Sequence, residues 1–88
     1  MKQYHLIVSG HVQGVGFRYY TERLALNKQI KGWVRNLPDG TVELVAQGSE
    51  APLSAFIQEI KNGPGFSRVK DVKIQEQTPE TYSSFVIR

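Results

Sequence analysis

Hydrophobic and polar residues alternate over residues 3–9, with Tyr4, Leu6 and Val8 on one face and His5, Ile7 and Ser9 on the other. That period of two predicts a half-buried strand that ends at Gly10. From Phe17 the period lengthens. Phe17, Tyr20 and Leu24 fall three and four apart with Ala25 alongside, which predicts an amphipathic helix to about Gln29. Strand character returns over residues 30–36 around Trp33 and Val34. Leu37-Pro38-Asp39-Gly40 supplies turn residues, with Pro setting φ and Asp-Gly tolerating positive φ. Residues 41–47 alternate again with Val42, Leu44 and Ala46 on one face, so residues 30–48 read as a hairpin. Ser49 stands where an N-cap is needed and Glu50 in a favourable first turn. Leu53, Phe56, Ile57 and Ile60 then give the strongest helical pattern of the chain, stopped by Gly63-Pro64-Gly65. Residues 68–77 carry Val69, Val72 and Ile74, a strand with an irregularity after Val69. Residues 78–83 read as a turn region, and Phe85-Val86-Ile87 as a short closing strand.

The predicted order is β-α-β-β-α-β plus a terminal strand, with no linker, repeat or low-complexity segment. Two right-handed crossovers place both helices on one face of an antiparallel sheet. This is the α+β ferredoxin-like fold, expected as a single domain over residues 1–88. The fold hosts enzymes, RNA binders and ligand sensors, so function has to come from the residues.

The chemical inventory is short. The 88 residues include no Cys, two His, and eleven Lys and Arg against eight Asp and Glu, a net charge of +3. Without Cys there is no disulfide framework, thiol nucleophile or iron–sulfur site. With so few His and scattered carboxylates, no protein-built metal site and no cofactor is expected. The mild positive balance suits an anionic ligand and falls short of a nucleic-acid footprint. No apolar run approaches the length of a signal peptide or a membrane span, so the cytosol is the expected location.

The segment Gly10-His11-Val12-Gln13-Gly14-Val15-Gly16 packs three glycines between a strand and a helix start. Helix N-termini present unpaired N–H groups and partial positive charge. Glycines let the backbone curl so that such groups converge on an anion. Arg18 follows in the first helical turn, an unfavourable place for a cation unless an anion lies between the guanidinium and the helix end. A flexible strand–helix connection with a solvated Arg fits the same residues. A nucleotide fingerprint does not: no Lys-Ser/Thr follows the last glycine, and Tyr19 stands where a dinucleotide motif needs a small residue.

Gly10-His11-Val12-Gln13-Gly14-Val15-Gly16-Phe17-Arg18 resembles the first signature of the acylphosphatases, G-x-V-Q-G-V-x-F-R. Gly32-Trp33-Val34-Arg35-Asn36, followed by Gly40-Thr41-Val42 and Gly48, resembles their second. The resemblance runs over essentially the whole chain. It implies this same fold and a metal-independent hydrolase of small acyl phosphates that releases a carboxylate and inorganic phosphate. It further implies that the backbone amides of Gln13, Gly14, Val15, Gly16, Phe17 and Arg18 cradle the phosphoryl group. Arg18 would clamp its oxygens, and Asn36 would position the attacking water. The expected partners are the acyl phosphate and phosphate alone, with no nucleic acid and no membrane, on a monomer. The alternative is a non-catalytic ferredoxin-like module binding an anionic ligand or RNA.

Other candidates carry blander readings. Asn36 opens a turn sequence, where Asn commonly serves the turn itself. His11 reads as a solvated residue in a variable slot, and His5 as packed or hydrogen-bonded on its strand. Asp39 and Glu43 read as turn and solvent-facing residues rather than an acid–base pair. Tyr19, Tyr20 and Trp33 stand near the site elements, and core or rim packing is the reading taken for each.

Overall fold

The structure, a computed structural model, describes all 88 residues. The elements are β1 (Lys2–His11), α1 (Phe17–Asn27), β2 (Lys31–Asn36), β3 (Val42–Gly48), α2 (Glu50–Asn62), β4 (Arg68–Gln77) and β5 (Phe85–Ile87). The sheet order is β4-β1-β3-β2-β5, antiparallel except for β5, which runs parallel to β2. This is the predicted ferredoxin-like arrangement, extended by one strand.

Strand pairing puts Leu6 opposite Leu44, Val8 opposite Val42 and Val34 opposite Leu44. These side chains are fully buried, and they meet Phe17 and Ala25 of α1 and Leu53, Phe56 and Ile60 of α2. Phe56 meets Phe85 edge-on, with ring centroids 6.2 Å apart, which ties β5 to α2. A side chain such as Phe56 gains about 1.5–3 kcal/mol from full burial, so this layer dominates the stability of a small domain.

Several expectations need correction. β1 does not stop at Gly10 but continues to His11, because Gly10 sits in a bulge. There Gly10 faces Val69 while Ser9 faces Asp71, leaving Lys70 as the extra residue. Gly10 has φ +124°, and a Cβ on it would run into the Arg68 carbonyl oxygen. α1 ends at Asn27, two residues early. Gln29 adopts φ 59°, and Ile30 N–H closes the helix end on Ala25 O at 2.8 Å. The buried seam of α1 is Phe17, Thr21 and Ala25, with Tyr20 and Leu24 only half-buried. Thr21 tolerates burial because its hydroxyl donates to Phe17 O at 2.9 Å. Ser49 is the N-cap of α2, but its side chain makes no capping bond.

The face of the sheet opposite the helices is not simply solvated. Gln3 is 0% exposed and Gln47 2%. Residues 78–84, of which 78–83 are read from sequence as a turn region, link β4 at one edge to β5 at the other. Gln3 Oε1 accepts from Glu80 N at 2.8 Å and from Gln47 Nε2 at 3.0 Å, so these glutamines are the anchors of a strap across the sheet. Glu43, expected to face solvent, is largely buried. It bonds His5 Nε2 at 2.7 Å and Arg35 Nε at 2.6 Å. Burial pushes its carboxyl up, but the bonds from His5 and Arg35 outweigh that and hold it below the ordinary glutamate value.

Candidate active site

β1 delivers the chain to the start of α1 through residues 12–16. Gly14 and Gly16 adopt φ 73° and 79°, and a Cβ on either would meet nothing within 4 Å. Conformation, not space, is what demands glycine at these two positions. Gly16 is the N-cap of α1, with no side-chain cap and no acidic residue in the first turn. The backbone N–H groups from Gln13 to Tyr19 find no backbone acceptor. The usual remedies for a helix start, a capping hydroxyl or carboxylate, are therefore missing.

These residues form one wall of a cleft of about 200 Å³, lined by Val12, Gly14, Gly16, Phe17, Arg18, Tyr19, Asn36 and Ile87. Arg18 and Asn36, distant in sequence, thus share one cavity. Arg18 is half-buried and takes part in none of the ion pairs of the molecule. Asn36 is the last residue of β2, and pairs with Val42. Strand alternation puts it on the same face as Val34, towards α1. Its Oδ1 is buried without a hydrogen-bond partner.

The turn after Asn36 is fastened to the glycine loop. Gln13 Nε2 donates to Leu37 O and to Thr41 O, both at 2.8 Å. Leu37 N–H also donates to Thr41 O, at 2.9 Å. Asp39 is a turn residue as expected, accepting from Thr41 N at 3.0 Å and from its hydroxyl at 2.6 Å. Those bonds hold its carboxyl below the usual range.

Other candidates separate. Tyr19 lines the cleft with its side chain largely exposed. Tyr20 turns away, its hydroxyl donating to Glu59 O at 3.3 Å; burial and the Glu59 charge push its pKa up. Trp33 lies on the opposite face, with the guanidinium groups of Arg88 and Arg35 at 4.4 and 5.3 Å from its ring centre. His11 lines a separate groove with Arg68 and Lys70. No three or more His, Cys, Asp or Glu side chains are grouped to hold a metal ion, and no helix is long and apolar enough to cross a membrane.

Sequence reasoning missed two contributors. Ile87 lines the cleft only because β5 pairs with β2, with Val34 opposite Ile87, and no local signal announces that. The family resemblance implies a role for the main-chain amide of Gln13 alone, whereas in the structure its side chain joins the loop to the turn.

Amides without backbone acceptors, a guanidinium that makes no ion pair and a carboxamide meet at one cleft of an α+β sandwich, with no carboxylate among the lining groups, a set of groups whose chemistry suits an anion. A family model described as Acylphosphatase matches residues 4–87. An acylphosphatase from Methanospirillum hungatei is 52% identical over 89 residues, covering 100% of this chain and 98% of the relative. Among solved structures, the chain is similar to an acylphosphatase from Bacillus subtilis with a TM-score of 0.97 and 44% identity, covering 100% of this chain and 99% of the other. An acylphosphatase from Coxiella burnetii matches with a TM-score of 0.95 and 39% identity, covering 99% of this chain and 92% of the other. The chain belongs to the acylphosphatase family.

Proposed function

We propose that this chain hydrolyses the carboxyl–phosphate anhydride of small acyl phosphates, giving a carboxylate and inorganic phosphate, as a cytosolic monomer. The amides of Gln13 to Arg18 cradle the phosphoryl oxygens, Arg18 clamps them, and Asn36 positions the water. The observation that carries this reading is a run of N–H groups from Gln13 to Tyr19 without backbone acceptors, of which Gly14, Gly16, Phe17, Arg18 and Tyr19 line one cleft with Asn36.

The lining contains no carboxylate and no histidine, so neither is at hand as a general acid or base. The reaction needs little of either. Phosphoryl transfer passes through a loose transition state with charge spread over the equatorial oxygens, and positioning plus electrostatics dominate. The leaving carboxylate has a conjugate acid of pKa about 4 and departs without a proton. Arg18 meets the phosphoryl oxygens with a charge-assisted fork, each bond worth about 1.5–3 kcal/mol.

Asn36 has no proton-accepting state at neutral pH, so its part is orientation. Its Oδ1 is buried while Nδ2 is not among the buried unpartnered atoms, which leaves Nδ2 as the end open to the cleft. Donation from Nδ2 to the water oxygen leaves a second lone pair aimed at phosphorus. The water oxygen bonds phosphorus as the P–O bond to the acyl oxygen breaks, and the water's proton passes to a phosphoryl oxygen.

The test is phosphate release from acetyl phosphate with and without EDTA. Turnover unaffected by EDTA is expected. No turnover would defeat the hydrolase reading, and EDTA-sensitive turnover the metal-free one. Arg18→Ala should weaken inhibition by inorganic phosphate as well as turnover; unchanged phosphate affinity would remove the clamp role.

A further inference from the structure

We propose that the side chain of Gln13 is the positioning residue that sets Asn36 over the phosphoryl cradle; this rests on the reading of Asn36 given above. The two hydrogens of the Gln13 carboxamide go to two carbonyls, Leu37 O and Thr41 O, each at 2.8 Å. Those carbonyls bracket the turn that begins directly after Asn36. A primary amide offers two hydrogens from one nitrogen in one plane without adding a charge, and it matches this pair of acceptors.

Asn36 depends on such a tie because no hydrogen bond holds its side-chain amide directly. Its Oδ1 has no donor. The Asn36–Val42 pair is the last of the β2–β3 register, so beyond it the sheet no longer fixes the chain. Within the turn, Leu37 N–H to Thr41 O and Gly40 N–H to Leu37 O hold its own shape. Neither bond relates the turn to the glycine loop. Gln13 does, from the first residue of the cradle itself. The amides that would hold phosphorus and the amide that would hold the water are therefore set against one another through this one side chain.

The two carbonyls keep their backbone donors when the Gln13 side chain is changed, so the fold does not hinge on it. Gln13→Met keeps length and flexibility and removes both donors. Turnover of acetyl phosphate and competitive inhibition by inorganic phosphate are measured for the wild type, Gln13→Met, Asn36→Ala and the double variant. The expected result is a fall in kcat of about 10- to 100-fold in Gln13→Met, the scale of a misplacement near 1 Å. The inhibition constant for phosphate should stay within about twofold, because the cradle uses main-chain amides. The double variant should be no slower than Asn36→Ala alone, since Gln13 acts through Asn36.

An unchanged kcat in Gln13→Met overturns the proposal, as does a loss that multiplies with that of Asn36→Ala. A parallel weakening of phosphate inhibition would assign Gln13 to the cradle instead and also overturns it. Failure of the underlying reading looks different: Asn36→Ala alone would then keep its turnover. If Gln13→Met does not fold, Gln13→Asn gives the same kcat-against-inhibition split. It keeps the amide but is one methylene too short to span both carbonyls.

Discussion

Asn36→Ala should separate activity from stability. Truncating a half-buried residue ordinarily destabilises a protein, here by roughly one methylene equivalent, about 0.8 kcal/mol. Asn36 carries an opposing term. Its Oδ1 is buried with no donor, and an unsatisfied buried acceptor costs about 1–3 kcal/mol. Alanine removes that acceptor together with its cost. The balance favours the variant by about 1 kcal/mol, a rise in Tm of about 4–8 °C for a domain of this size. Over the same change kcat should fall by about 10²–10³, the usual loss when one preorganised donor is removed from a reacting centre.

The assay is paired: thermal unfolding followed by circular dichroism, and phosphate release from acetyl phosphate on the same preparation. A Tm lowered by several degrees would refute the reasoning, because it would mean that Oδ1 is satisfied in the native protein. A Tm raised with kcat intact would refute the other half, by showing that the Asn36 carboxamide serves no purpose in turnover. Stability gained by removing a functional group is the signature expected of a site held in an unfavourable state for its chemistry.

The glycines of the loop give a second comparison. Gly16→Ala should cost about 1–2 kcal/mol, the penalty of a left-handed conformation, since its Cβ has free space. Gly10→Ala should cost more, because its Cβ meets the Arg68 carbonyl and the β1–β4 bulge must open; equal costs in denaturant melts would contradict this. Glu43 predicts the acid limb of stability. Its folded pKa lies below the unfolded value, so its contribution is complete above about pH 4.3 and is lost as pH falls from there through the depressed value. Glu43→Gln should flatten that limb relative to the wild type, and parallel stability curves for the two proteins would count against the assignment.

Residues whose burial the sequence pattern does not foretell share one property. Thr21, Gln3, Gln47 and Glu43 are polar, and periodicity sends polar residues to solvent. Each is instead buried beside a partner: Phe17 O for Thr21, Glu80 and one another for the glutamines, His5 and Arg35 for Glu43. Burial of a polar group is set by whether a partner waits for it, and apart from Phe17 for Thr21 and Arg35 across the hairpin for Glu43 those partners lie far away in sequence. The apolar layer needed no such knowledge. Leu6, Val8, Val34, Leu44, Leu53, Phe56 and Ile60 follow from period alone. The site divides in the same way. Gly14, Gly16 and Arg18 are legible because a helix start dictates their chemistry locally. Ile87 and the Gln13 side chain come into view only once β5 pairs with β2 and the hairpin turn packs on the loop.

The unfavourable features of this chain gather in one place. A helix start with neither a capping side chain nor the first-turn acidic residue that α2 has in Glu50, a guanidinium near that positive end without a carboxylate, and a buried carbonyl oxygen without a donor all belong to one cleft. Elsewhere buried polar side chains are paired, down to the glutamines beneath the strap. An accidental distribution would scatter such defects along the chain. Their concentration, together with a glutamine whose two hydrogens tie one wall of the cleft to the other, argues that the rest of the domain supplies the stability that lets these groups wait unpaired. On the proposed function a phosphoryl group would answer the amides and the guanidinium at once, while the open end of Asn36 would meet the water. That is why so short a list of side chains suffices for hydrolysis of an activated anhydride.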